Sequence, residues 1–471
     1  MGEAENPTDQ QPQQRWVDWL YRRFELAAHQ TTIRTEILAG ITTFMTMAYI
    51  LVVNPQILSN AIYLQKPQDL FAELVIATGI SAALATFQMG LTTNYPFALA
   101  PGMGLNAFFA FSVVLKLGIE WRVALTAVFL EGLLFIALTL SKLRSRIIQA
   151  IPASLKQAIA AGIGLFIAYI ALSGNPKLGG VGLIVADPVT KTALGPLNEP
   201  PTLMAIAGLI ITTALVARRV KGALLWGILA TALLGWILGV SPWPTAILGI
   251  PHWPTHLFGQ AIVGLAGISN TQFWDFVTVT FVFLFIDLFD TVGTLAGVGL
   301  QSGYVNERGD LPKASQAFMA DAVGTTVGAV LGTSTVTAYI ESAAGVAVGG
   351  RTGLTAMVVG VLFTLSIFFI PLLIAIPAYA TVPALVLVGV LMMGNVRSIP
   401  WDDPAEAIPA FLTILLMPLS YSIAEGLAIG FIAYPLVKSF QGKMREVSGF
   451  VWALAGVFVL RFVLLSLNIG G

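Results

Sequence analysis

The chain has 471 residues, of which 56% are hydrophobic and only 10% charged, with 24 basic and 24 acidic side chains and a mean hydropathy of +0.84. A soluble domain carries about 25% charged residues. This composition therefore excludes an ordinary soluble fold and calls for lipid, the zero net charge offers nothing to nucleic acid, and the lack of cysteine rules out disulfides and thiolate metal sites.

The opening, MGEAENPTDQQPQQRWVDWLYRRF, is polar and then amphipathic, without the apolar core of a signal peptide. Residues 1–31 read as a tail and an interfacial helix, with Trp16, Trp19 and Tyr21 at headgroup level. Apolar stretches of crossing length follow, roughly at 36–59, 72–91, 96–115, 121–141, 155–173, 202–217, 222–240, 274–300, 313–331, 334–350, 353–376 and 380–396. A run over 405–438 is too long for one straight span and breaks near Pro418. The total is fourteen, and 448–468 is left as either a further span or an in-plane segment.

Basic residues set the orientation. Arg22, Arg23 and Arg34, then Lys142, Arg144 and Arg146, then Arg218, Arg219 and Lys221, then Lys438, Lys443 and Arg445 all fall on one side of that count. That side, with the N-terminus, is expected to be cytoplasmic.

The halves resemble each other. LTAVFLEGLLFIAL from Leu125 matches LTAMVVGVLFTLS from Leu354, and KGALLWGILAT matches AEGLAIGFIAY. Two seven-span repeats must enter the membrane in opposite senses, the inverted arrangement of secondary transporters. Two segments at equivalent places, the third and tenth spans, are poor helices: NYPFALAPGMGLNAFF (Asn94 to Phe109) and GTSTVTAYIESAAGVAVGG (Gly332 to Gly350). Proline, glycine and β-branched residues weaken a helix, and broken backbone survives at membrane depth only inside protein or beside a cavity. Each is expected to run extended and then as a half-helix, beginning near Gly104 and Tyr339.

NYPFALAPGMGLNAFFAF, FIDLFDTVGTLAG and TSTVTAYIESAAGVAVGGRTGLTA resemble the nucleobase–cation symporter family of uracil and xanthine permeases, and within it the azaguanine-type branch of adenine/guanine/hypoxanthine permeases. The resemblance runs from about Thr32 to Phe440. It implies an all-α polytopic fold with fourteen transmembrane segments in a seven-plus-seven inverted repeat. The core domain would comprise 32–152 (spans one to four) and 274–377 (spans eight to eleven). The gate domain would comprise 153–245 (spans five to seven) and 378–440 (spans twelve to fourteen). An extracellular loop, 246–273, separates the halves, and 441–471 forms a C-terminal hydrophobic segment. It further implies proton-coupled purine uptake at the plasma membrane and a homodimer through the gate domain, with the proton as coupling ion and no cofactor. Where the uracil and xanthine carriers have a glutamate, this chain has Asp287.

Asp287 and Asp290 lie one helical turn apart inside an apolar run. An ionised carboxylate at the bilayer centre costs at least about 2.5–3.5 kcal/mol, which makes a task for it expected. As acceptor-only groups, carboxylates suit the ring N–H and amino donors of a purine, and a buried one readily takes up a proton. Asp287 is the first candidate, with Asp290 orienting the site or sharing its proton. Glu341 opens the second half-helix beside Thr335 and Thr337, and the resemblance makes it a substrate ligand. Asn106 offers an amide to a heterocycle edge, and Thr42, Thr43 and Thr46 are polar enough to line the cavity. Substrate contacts are thus expected at Asp287, Glu341, Asn106, Asp290, Thr335 and Thr43, and proton coupling at Asp287, Glu341 and Asp321.

Glu131 and Glu425 are expected to pair locally. Phe108, Phe109, Phe285 and Phe289 are more readily packing than base-stacking residues. The three histidines, His29, His252 and His256, fall outside the spans, and no hydrolase, zinc-protease or P-loop motif occurs, so no enzyme is expected. The competing reading is an inorganic anion transporter or channel of the same fold, which predicts a cationic side chain between the half-helices.

Overall fold

The computed structural model describes residues 12–141, 150–173, 181–268, 273–304 and 311–466. Lys142, Arg144 and Arg146, used above for orientation, lie outside the described residues. An amphipathic helix, α1 (Pro12–Arg23), carries Trp16 and Trp19 exposed. It is tied down where Arg23 donates to the Leu91 carbonyl at 2.7 Å.

The first half then runs α2 (Ile33–Met47), α3 (Ile50–Leu58), α4 (Phe71–Thr93), strand β1 (Leu99–Pro101), α5 (Met103–Ala107) and α6 (Trp121–Leu140). Helix α5 continues as a π-helical stretch to Lys116. Next come α7 (Ala153–Leu172), an exposed hairpin of β2 (Ile184–Asp187) with β3 (Lys191–Leu194), α8 (Pro200–Ala217) and α9 (Ala223–Ile237).

The second half repeats the plan with α10 (Phe273–Ser302), α11 (Ala314–Leu331), β4 (Val336–Ala338), α12 (Ser342–Val348) and α13 (Gly353–Ser366). It closes with α14 (Ala378–Met393), α15 (Pro404–Leu419), α16 (Ile423–Phe440) and α17 (Gly449–Ser466). Among the described residues nine helical segments are long and apolar enough to cross a membrane, and four shorter apolar ones accompany them. The run at 405–438 does divide, at Ser420–Tyr421, where Tyr421 turns left-handed (φ 56°) and Ser422 caps α16.

Local chemistry explains the matched breaks. Helix α4 stops at Asn94 (φ 61°) and α11 at Gly332 (φ 98°), both left-handed, and each chain then enters a strand. Glycine has no Cβ penalty there and asparagine tolerates it, so both residues end helices well.

Packing sorts the helices into two groups. Helices α2, α4, α6, α10, α11 and α13 pack mainly on one another, as do α7, α8, α9, α14, α15 and α16. Close crossings rest on glycine: a Cβ on Gly353 would collide with the Gly90 carbonyl, and one on Gly164 with the Gly389 backbone. Helix α17 packs on α16 and reaches the first half of α10 at two points. Phe450 sits 5.9 Å from Phe285, and Arg461 lies 3.9 Å from Asp275. The described part of the hydrophobic 448–468 segment, Gly449–Ser466, is thus one helix docked against both groups.

Candidate functional site

The two interrupted segments meet as a two-stranded antiparallel sheet, with Leu99 opposite Ala338, Ala100 opposite Thr337 and Pro101 opposite Val336. Further main-chain bonds run from Gly102 N to Thr335 O (2.9 Å) and from Tyr339 N to Ala98 O (3.0 Å). All six strand residues are buried. In a lipid-facing protein each backbone group must find a partner inside the chain, and here each broken span supplies the other's. The half-helices α5 and α12 leave this sheet from opposite halves, starting at Met103 and Ser342 rather than at Gly104 and Tyr339.

Glu341 immediately precedes α12 and is partly exposed. Its Oε1 accepts from the Tyr49 hydroxyl at 2.8 Å, and its carbonyl accepts from Thr46 Oγ1 at 3.4 Å. Asp290, also partly exposed, faces Thr337 and Glu341, and Thr337 in turn shares a 2.8 Å hydrogen bond with Thr291. Asn106 on α5 is fully buried and accepts from the Ser334 hydroxyl through Oδ1. Its Nδ2 has no acceptor, and Thr335 Oγ1 and Thr43 Oγ1 have no partner either. Gly345 lets α12 seat directly on α2, because a Cβ there would strike Thr43 Oγ1 and the Ala39 carbonyl.

Asp287 occupies a different environment. It has no exposed surface. The Thr325 hydroxyl approaches its Oδ2 at 3.4 Å, while Oδ1 has no donor. Beside it stand Glu131 of α6 and Asp321 of α11, both wholly buried. Asp321 points toward Thr291 and the Ala338 amide without reaching hydrogen-bonding geometry.

The two aspartates of FIDLFDTVG therefore divide: Asp290 looks toward the sheet and Glu341, Asp287 toward α6 and α11. Among the described residues no ion pair reaches Glu131, Asp287, Asp290, Asp321 or Glu341, and no three acids or histidines are arranged as metal ligands. A cluster of this kind, acidic and short of donors, suits a ligand rich in N–H groups.

The local pairing expected of Glu131 and Glu425 is replaced by other settings, while the aromatics pack as expected. Glu425 pairs with Lys116 from the third span at 3.0 Å rather than locally, and Glu131 has no donor. Phe108 and Phe109 pack on Phe283, and Phe285 stacks on Phe289. His256 binds Glu73 at 2.6 Å, far in the chain from the acids.

Two contributors escaped the sequence reading. Tyr49 gave no signal within its apolar run. Glu36, fully buried, binds the amides of Arg351 (2.9 Å), Thr352 (3.2 Å) and Thr355 (3.2 Å) and the Thr355 hydroxyl (2.6 Å). An acid so early in α2 looked like an ordinary helix-start residue.

Two half-helices joined by a strand pair, within a bundle of apolar spans, are the architecture of a membrane transport protein. The transmembrane domain of a cyanobacterial bicarbonate transporter, BicA, has this fold, with a TM-score of 0.59 over 84% of this chain and 97% of that one at 16% identity. The chain belongs to the permease family whose model, Xan_ur_permease, matches residues 34–463. Its relatives include the guanine/hypoxanthine permease PbuG of Bacillus subtilis, 46% identical over 93% of this chain and 98% of that protein. The adenine permease AdeP of Escherichia coli is 43% identical over 95% of this chain and 96% of that protein.

Proposed function

We propose that this permease imports purine nucleobases across the plasma membrane together with a proton, with its N-terminus in the cytoplasm. The observation that carries the reading is a set of acids and unpartnered polar atoms on the half-helices, the strand pair and the helices packed against them. Glu341 and Asp290 are the partly exposed acids, and Asn106 Nδ2, Thr335 Oγ1, Thr43 Oγ1 and Asp287 Oδ1 are buried without partners. A purine brings ring N–H and amino donors for the acids and ring nitrogens or a carbonyl for the amide and hydroxyls.

In this proposal Glu341, held by Tyr49, and Asp290 take the donor edge, while Asn106 and Thr335 take the acceptor edge. Asp287, sealed behind Asp290, holds the proton, with Asp321 supporting it. The first helix group is the core that carries the base and the second is the gate, through which two copies associate. Alternating access follows as the core moves against the gate. The relatives' names, guanine/hypoxanthine and adenine permease, support the substrate class.

The anion-transporter alternative shares the fold but lacks its chemistry. Arg351 is the cation nearest in sequence to α12, and it donates to Val346 O (2.6 Å) and Gly350 O (2.8 Å) at the far end of that half-helix. The test is uptake of labelled guanine into proteoliposomes under an imposed proton gradient, with hypoxanthine, adenine, uracil and bicarbonate as competitors. Purine competition is expected, with loss of uptake in Glu341→Ala and Asp290→Ala. Uptake indifferent to collapse of the gradient would remove the coupling. Competition by bicarbonate but not by purines would restore the alternative.

A further inference from the structure

Glu131 is a buried acid that base recognition leaves unused. It sits mid-way along α6, has no exposed surface, and neither carboxylate oxygen has a hydrogen-bond donor. Its carboxyl faces that of Asp287, whose Oδ1 is likewise without a donor. Two ionised carboxylates are both acceptors and repel, so a proton held between them stabilises this arrangement.

Among the described residues, the elements packed on α6 provide no other remedy. From α11 comes a further acid, Asp321, and α10 adds Asp290 one turn beyond Asp287. Arg122, on α6 itself, is engaged by Glu120 (2.8 Å) and Gln260 (2.8 Å) at the start of the helix. Lys116, on the preceding π-helical stretch, is paired with Glu425. The buried surroundings exclude water as the screen that would otherwise let both charges persist.

We propose that Glu131 and Asp287 form one shared proton site, and that Glu131, which touches no base, is a positioning residue for the coupled proton. With the proton bound the pair carries one negative charge, and without it two. The proton enters the pair from one compartment and leaves to the other, and no other bond forms or breaks. The inference rests on the proposed symport and makes it more specific: the acid that accompanies Asp287 comes from α6, not from the adjacent Asp290.

The test uses the full chain in proteoliposomes, with Glu131→Gln and Glu131→Asp beside the parent protein. Glutamine keeps the shape but cannot hold a titrating proton. Glu131→Gln is expected to keep guanine–guanine exchange within about twofold while gradient-driven accumulation falls by on the order of tenfold or more. Glu131→Asp is expected to restore accumulation with a displaced pH profile.

Accumulation by Glu131→Gln at the parental level, in a parent that is itself proton-coupled, overturns the inference and leaves the symport standing. A parent that is not coupled overturns the symport instead. Loss of exchange along with accumulation also overturns the inference, because it would make Glu131 a packing residue. If Glu131→Gln does not reach the membrane, infrared spectroscopy of the parent decides. A protonated-carboxyl band present without base at neutral pH is expected, and its absence refutes the shared proton.

Discussion

The Lys116–Glu425 contact links the two helix groups and gives a direct handle on their relative motion. Lys116 ends the π-helical stretch of the third span, and its ammonium donates to Glu425 Oε1 at 3.0 Å and to the Ser420 carbonyl at 2.5 Å. Both of these partners lie at the α15–α16 junction. The side chains are 33% and 30% exposed, so solvent screening holds the ion pair to about 0.2–1 kcal/mol. The charged bond to a main-chain carbonyl adds about 1 kcal/mol, for a total of about 1–2 kcal/mol.

Removing it with Lys116→Ala should therefore shift the balance between conformations by roughly five- to thirtyfold away from the one seen here. The chain contains no cysteine, so a single cysteine introduced beside Thr46 reports accessibility of the surroundings of Glu341 without background. The measurement is its alkylation rate in Lys116→Ala, in Glu425→Gln and in the double variant. The singles should change that rate in the same direction, and the double should add little to either. High salt should shrink the effect. Unchanged rates in both single variants, with folded protein, would refute the idea that this contact holds the two groups together.

Three more outcomes are expected. Glu36→Ala strips acceptors from two buried amides, one partly buried amide and a buried hydroxyl, and unpaired donors cost about 1–3 kcal/mol each. The protein should lose at least about 3 kcal/mol, read as a lowered melting temperature in detergent, whereas Glu36→Gln should lose less. Gly345→Val would push α12 off Thr43 and Ala39 and should abolish guanine binding in a chain that still inserts, measured by ligand-induced thermal shift. In the β2–β3 hairpin, the amides of Thr190 and Val189 and the Thr190 hydroxyl hold the Asp187 carboxyl below its usual range. Its contribution is thus present above the ordinary carboxylate pKa and is lost as pH falls through the lowered value. Protection factors across 184–194, corrected for the intrinsic exchange rate at each pH, should fall on acidification, and Asp187→Ala should abolish that dependence.

Much of this architecture is legible in the sequence because the membrane makes it costly to hide. Pro96, Pro101, Gly102 and the TSTVT stretch announce broken helices, since nothing else tolerates them at that depth. Carboxylates in apolar runs stand out for the same reason. What spacing cannot supply is direction. Residues three apart on a helix differ by only about 60° around its axis. A rotation of that size separates Asp290, facing Glu341, from Asp287, facing Glu131. Partners such as Tyr49 and Lys116 are equally invisible, because their contacts close over 292 and 309 residues of chain and depend on packing alone.

The strand pair between β1 and β4 has a mechanical consequence. It is stitched by main-chain bonds, which side-chain replacement leaves intact, and it sits where a severed bond would have no water to turn to. The halves of the molecule therefore cannot slide past one another at that seam. On the proposed reading the cradle travels with the first helix group as one parcel, and Gly104 meets Ile163 of the second group at its border.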